Sequence, residues 1–313
     1  MDGLKSRKKQ KKEFTPKYDD YSYPLLKHVL GDESLKNKFE EISTYITNSD
    51  FFKEIGSKPK RSFLFVGEPG TGKTFSVKAL RNELFWSNKK EVCYYPYSIG
   101  THGTSYINEG ATNLQEFFDI GRKMANRGYP VIYQFDEINN IMGKRNSSQN
   151  HKEDNKLLEC LMVNLQEINT YSKNEFFFGM TNFREALDEA AIRNGRIDDI
   201  IEFPLPSIET LKETYRSKVN NINKKHSNKF PYYSKKLIFR VNYDKISGES
   251  EGFNFADVDK VTEDVLRKLA FKFLKSNVGD RKELSRLTTR HFLEEIHSIK
   301  KERYSSKKNI GFK

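Results

Sequence analysis

Apolar residues follow two regimes along this chain. Between residues 63 and 203 they gather into five short, apolar or β-rich runs: Phe63 to Val66, Val92 to Tyr97, Val131 to Phe135, Phe176 to Met180 and Asp199 to Phe203. Segments with helical spacing separate these runs, among them Phe75 to Phe85 and Lys156 to Ile168. Strands alternating with helices predict a parallel sheet covered on both faces. After Pro204-Leu205-Pro206 the strand signal mostly stops, and helices are predicted at Ser207 to about Lys225, Ala256 to Lys275 and Thr288 to Lys301. A polar, aromatic stretch at 227–240 interrupts them and reads as a loop or insertion. Ahead of the first run, Leu35, Phe39, Ile42 and Ile46 lie three or four apart, as on one helix face.

The pattern divides the chain into a basic tail at 1–22, an α/β domain at 23–206, an all-helical domain at 207–302 and a second basic tail at 303–313. The α/β part is expected to hold five parallel strands with helices on both faces, and the helical part to be a small lid. Hydrophobic content is 36% and charged content 31%, enough for a core beneath a very polar surface. No apolar run approaches the ~20 residues of a membrane helix, and no signal-peptide segment is legible. The two cysteines, Cys93 and Cys160, do not make a disulfide framework and read as small core residues. A reduced, cytoplasmic setting is expected. The net charge of +12 sits partly in the run Lys5 to Lys12 and in Lys300-Lys301-Glu302-Arg303 with Lys307-Lys308. Such runs are either solvated tails or contacts for phosphate backbones and acidic partners.

The chemistry centres on Gly67-Glu68-Pro69-Gly70-Thr71-Gly72-Lys73-Thr74, a G-x-x-x-x-G-K-T run between the first strand and a helix. Glycines there let backbone N–H groups turn toward phosphates, and the helix N-terminus adds partial positive charge. Lys73 would reach the β and γ phosphates, and Thr74 would offer its hydroxyl to Mg²⁺. About sixty residues on, Val131-Ile132-Tyr133-Gln134-Phe135-Asp136-Glu137 is an apolar strand ending in two acids. Asp136 can hold Mg²⁺, and Glu137 can accept a proton from an attacking water, which is what phosphoryl transfer requires.

This combination resembles the AAA ATPase family in the narrow sense, over roughly residues 25–301. Pro24 to Asp32 resembles the opening segment that packs on the adenine, which implies nucleotide contacts for Gly31 and Asp32. The resemblance adds Glu68, Pro69, Gly70, Thr71, Gly72 and Phe75 around the loop, and Ala256 in Gly252-Phe253-Asn254-Phe255-Ala256-Asp257, which is similar to the start of the lid helix. Met180 to Arg184 resembles the strand end with a polar sensor, so Asn182 would hold the attacking water. Ala191 to Asp198 resembles the stretch that supplies two arginine fingers, Arg193 and Arg196, to a neighbouring subunit. That role implies a homo-oligomer, in this family a hexamer. Gly103 to Gly110 resembles a pore loop in which Tyr106 and Ile107 would grip a polypeptide. Lys144 to Lys152 fits a second, basic pore loop. Three residues depart from the pattern: Glu68 stands for a usual proline, and Phe255 and Asn108 for usual glycines.

The function implied is an ATP-hydrolysing ring motor using ATP/ADP and Mg²⁺ that remodels, unfolds or disassembles a protein substrate, with an adaptor or partner protein, and does not span a membrane. Two alternatives stay open. The charge and the basic runs admit a nucleic-acid-associated ATPase, although no helix-turn-helix, zinc module or aromatic-basic platform is legible. A nucleotide-switched assembly scaffold acting with a partner protein is the other.

Overall fold

In a computed structural model, residues 26, 29, 33–88, 91–98, 109–143, 151–189, 192, 195–229, 240–275 and 287–310 are described. The five expected strands form: β1 (Ser62–Val66), β2 (Cys93–Tyr97), β3 (Val131–Phe135), β4 (Glu175–Thr181) and β5 (Asp199–Glu202). They make one sheet in the order β2-β3-β4-β1-β5, with parallel ladders joining β2 to β3, β3 to β4 and β4 to β1. β3 and β4 are buried along their whole length, as continuous apolar runs in a doubly covered sheet should be.

Each face of the sheet follows the two-residue period of a strand. One face presents Leu64, Tyr95, Tyr133, Phe135 and Phe177 to α4 (Glu109–Asn126) and α6 (His151–Thr170). Phe117 of α4 lies 5.1 to 6.0 Å, ring to ring, from Tyr97, Tyr133, Phe135 and Tyr95. The other face meets α1 (Glu33–Thr47), through Phe39 against Phe65 at 5.7 Å, and α3 (Lys73–Asn88), through Arg81 over Tyr94 at 5.3 Å. Two short helices, α2 (Ser49–Glu54) and α5 (Asn139–Met142), fill the connections.

The chain forms two compact units. Among the described residues, the first comprises Lys38–Val66 and Thr74–Ile201 and carries most of the sheet; the second gathers those of Lys27–Asn37, the loop Gly67–Lys73 and the chain from Glu202 onward. In the second, α7 (Ile208–Lys229), α8 (Tyr243–Glu249), α9 (Phe255–Lys275) and α10 (Thr289–Ile310) enclose a separate core of Leu211, Tyr215, Ile246, Phe253, Val261 and Phe292.

Three local expectations change. Helix α7 runs on through residues 227–229, the start of the stretch read as a loop; residues 230–239 lie outside the described residues. Helix α8 was not expected and is fixed by Asn242, whose side chain accepts from the Lys245 amide at 3.0 Å. The expected tail from residue 303 is helical as far as Ile310. Its first turn is held by Glu302 against Lys260 at 3.1 Å and by Arg303, which pairs with Asp257 and lies 5.1 Å from the Phe253 ring centre. The basic tail at 1–22 lies outside the described residues.

Candidate active site

The glycine loop follows β1, and its backbone uses conformations that side chains resist. Gly70 and Gly72 have φ of +78° and +95°. A Cβ on Gly70 would stand 2.9 Å from the Ala256 Cβ, and one on Gly67 only 2.3 Å from the Phe203 carbonyl oxygen. The start of α9 is tied to the loop: Asn254 Nδ2 donates to the Pro69 carbonyl at 2.9 Å, and the Phe255 amide to the Gly70 carbonyl at 3.1 Å. The Phe255 ring lies against Gly72, where an added Cβ would meet it at 3.6 Å. Thr71 and Lys73 are buried, and Lys73 Nζ donates back to the Gly67 and Glu68 carbonyls at 2.6 and 2.9 Å. Glu68, Pro69 and Ala256 are exposed or half-buried, and Phe75 is half-buried in the first turn of α3.

Strand register places the remaining groups. Val66 pairs with Thr181, and Phe135 pairs with Gly179, so β1, β3 and β4 end side by side. Thr74, Asp136 and Asn182 all follow those carboxyl ends, where ligands of open α/β sheets bind. Thr74 Oγ1 donates to Asp136 Oδ1 at 3.2 Å and lies 3.5 Å from Met180 Sδ. A hydroxyl and a carboxylate so close are hard oxygen donors, suited to an Mg²⁺ that keeps waters and phosphate oxygens as its other ligands. No group of three or more His, Cys, Asp or Glu is placed for a metal among the described residues. Glu137 is exposed and has φ of +54°, a conformation that costs about 1–3 kcal/mol and persists where surroundings impose it. The Ile138 amide bonded to the Met180 carbonyl at 2.9 Å, and Asn140 Nδ2 to Glu137 Oε2 at 3.3 Å, supply that constraint. The half-buried Asn182 directly follows Thr181, whose hydroxyl donates to Asn139 Oδ1 at 3.3 Å.

Arg196 lies elsewhere. Its carbonyl accepts from Ser62 Oγ at 2.6 Å and from Asn169 Nδ2 at 2.9 Å. Next to it, Asp198 accepts from the Arg61 and Ser62 amides at 2.7 and 3.0 Å. Ser62 begins β1 and Val66 ends it, so the arginine segment is anchored about 13 Å along the strand from the end that leads into the loop. The structure therefore brings Thr74 and Asp136 together, sets Asn182 at the same end of the sheet and holds Arg196 at the opposite end. Gly31, Asp32, Arg193, Tyr106, Ile107 and residues 144–150 lie outside the described residues.

One group at the site was not singled out from sequence. Gln134, 1% exposed inside β3, donates from Nε2 to Asp136 Oδ2 at 3.1 Å and accepts from the Tyr94 hydroxyl at 2.6 Å. The signal was a polar residue interrupting an apolar strand two positions before the acid, hence on the same face.

Residues 63–205 match the family described as ATPase family associated with various cellular activities (AAA). The chain is 30% identical over 232 residues to the proteasome-activating nucleotidase of Sulfurisphaera tokodaii, covering 74% of this chain and 53% of that one. It is 30% identical over 197 residues to the mouse ATP-dependent zinc metalloprotease YME1L1, covering 62% of this chain and 26% of the relative. With the YME1 homolog of Schizosaccharomyces pombe, identity is 33% over 186 residues, or 58% and 24% of the two chains. The chain thus spans about half, or about a quarter, of these relatives. In fold it is similar to the FIGL-1 AAA domain, with a TM-score of 0.68 at 19% identity over 88% of this chain and 83% of that one. No helix among the described residues is long and apolar enough to cross a membrane.

The cysteines stand outside this chemistry. Cys93 is fully buried in β2 and Cys160 half-buried in α6. Burial pushes both thiols up to about 11. A thiolate forms only as pH rises toward that value, so at pH 8 about 0.1% of either is expected to be the reactive form. Labelling of the folded protein with a thiol reagent should therefore be slow at pH 8 and should accelerate in denaturant. Rapid stoichiometric labelling of folded protein at pH 8 would contradict this.

Proposed function

The chain belongs to the AAA ATPase family, and from that premise we propose an ATP-hydrolysing, cytoplasmic hexameric ring motor that remodels, unfolds or disassembles a protein substrate through its pore. The observation that carries the reading is the split placement of the site residues. Thr74 and Asp136 meet at one end of the sheet, while Arg196 is anchored at the other end of β1. An arginine fastened about 13 Å along the strand from that end is poorly placed for the phosphates of its own subunit, which supports a role in a neighbour's site.

In this reading the loop amides and Lys73 bind the β and γ phosphates of ATP. Lys73 must then leave the Gly67 and Glu68 carbonyls that it bonds. Thr74 and Asp136 would hold Mg²⁺, which when bound would neutralise charge on the phosphate oxygens. Glu137 takes the proton from the attacking water, and Asn182 orients that water. The neighbour's Arg196, with Arg193, stabilises charge on the transferring group, an effect of order 10³-fold or more in this kind of chemistry. Tyr106 and Ile107 grip the polypeptide by flat apolar area, which tolerates varied sequences. An arginine given to the next subunit makes a head-to-tail contact, which forms a ring where its rotation closes.

Three outcomes test this. Glu137→Gln should bind ATP, lower hydrolysis by at least about 100-fold and accumulate a nucleotide-bound oligomer on a sizing column; undiminished turnover would remove Glu137 from the chemistry. Arg196→Ala and Lys73→Ala should each be inactive alone yet regain activity when mixed. Random assembly of equal amounts leaves about a quarter of the sites with both groups intact. No recovery on mixing would place the arginine in its own subunit's site or outside the chemistry. Tyr106→Ala should keep ATPase activity and lose substrate unfolding, measured with a tagged fluorescent protein; survival of unfolding would exclude the threading role.

A further inference from the structure

We propose that Gln134 and Tyr94 form a positioning relay that aims the Asp136 carboxylate at the Mg²⁺ of the bound nucleotide. The proposal rests on the reading of Thr74 and Asp136 as the metal-holding pair. It concerns two residues to which that reading assigns nothing.

β3 is buried on both faces, and an aliphatic side chain would serve packing at position 134 as well as glutamine does. Gln134 and Tyr94 are 1% and 2% exposed, so neither polar end has water to fall back on. Both are nonetheless engaged with each other and with the acid. The Tyr94 hydroxyl lies 2.6 Å from Gln134 Oε1, and Gln134 Nε2 lies 3.1 Å from Asp136 Oδ2. Electrostatics sets the direction of this chain. An amide NH₂ must face the carboxylate, because a carbonyl there would repel it. Oε1 is then left facing Tyr94, whose hydroxyl must donate. Tyr94 thus locks the glutamine in the one orientation that helps Asp136.

The other oxygen of the same carboxylate is held separately, Oδ1 accepting from Thr74 Oγ1 at 3.2 Å. A carboxylate gripped at both oxygens by different elements has its rotamer set before any ion arrives. Outer partners of this kind orient a ligand and raise its affinity for the metal. Beyond Tyr94, the buried Arg81 of α3 places its guanidinium 5.3 Å from the ring centre. A cation over the ring draws electron density from it and makes the hydroxyl a stronger donor. The relay therefore ties α3 and β2 to the acid that follows β3, on the sheet face away from the Phe117 cluster.

The test is a Mg²⁺ titration of the binding of a fluorescent ATP analogue, mant-ATP, to the full chain, with Tyr94→Phe, Gln134→Met and Asp136→Asn beside wild type. Tyr94→Phe removes one oxygen and keeps the ring; Gln134→Met keeps the length and loses both polar ends. Each is expected to bind mant-ATP in EDTA as wild type does and to require about 10-fold more Mg²⁺ for half-maximal binding. The double variant should add little to either single one, since both break the same relay. Wild-type Mg²⁺ midpoints for Tyr94→Phe and Gln134→Met, with a raised midpoint for Asp136→Asn, would overturn the relay and leave the metal reading intact. A wild-type midpoint for Asp136→Asn would instead overturn the metal reading. If Gln134→Met does not fold, by its circular-dichroism melt, Tyr94→Phe alone decides between these outcomes.

Discussion

The parallel register of three neighbouring strands is the constraint on which this molecule's chemistry depends. Val66 beside Thr181 levels the ends of β1 and β4, and Phe135 beside Gly179 ends β3 two residues short of them. Asp136 and Asn182, which directly follow β3 and β4, are then presented at one end of the sheet. A slip of one residue in either ladder would turn every side chain of that strand to the opposite face. It would also separate Thr74 from Asp136. Continuous burial of β3 and β4 makes such a slip costly, so the aromatic packing around Phe117 is also what holds the site in register.

Buried polar groups tie down both ends of this apolar frame. Gln134 and Tyr94 serve the acid at one end, while Ser62, Asn169 and Asp198 secure the Arg196 segment at the other. The second compact unit shows the same economy around the glycine loop. Asn254 bonds Pro69, its own amide and side-chain oxygen are engaged by Asp257, and Asp257 also receives Arg303. Helix α10 is thereby connected, through two short side chains, to the backbone that is expected to cradle phosphate. Phe255, where the family usually has glycine, lays its ring against Gly72 and adds an apolar contact to this polar tie.

Much of this was legible in the chain because it is local. Five apolar runs became five strands, since a doubly covered parallel sheet needs continuous apolar stretches and nothing else in the chain supplies them. The glycine loop and the acid pair were legible because their chemistry demands particular residues at fixed spacing. What escaped depended on contacts distant in sequence. Helix α8 has only seven residues and two buried ones, Ile246 and Ser247, too few for a periodic signal. The continuation of α10 past residue 302 rests on Arg303 meeting Asp257, 46 residues away, in a stretch that by composition alone looks like a solvated tail. Gln134 was read as part of an apolar strand because its partners, Tyr94 forty residues earlier and Asp136, are assembled only by the sheet.

β1 has a mechanical consequence. It is hydrogen-bonded along both edges, by β4 on one side and β5 on the other, so it cannot stretch or slide without breaking several bonds at once. The glycine loop leaves one end of it, and the arginine segment is fastened to the other. Such a strand is a strut. In the proposed ring, a push delivered at the end that leads into the loop would be carried toward the arginine end by this paired strand. In a ring where that arginine serves the next subunit, successive sites would keep time through the stiffness of a five-residue strand.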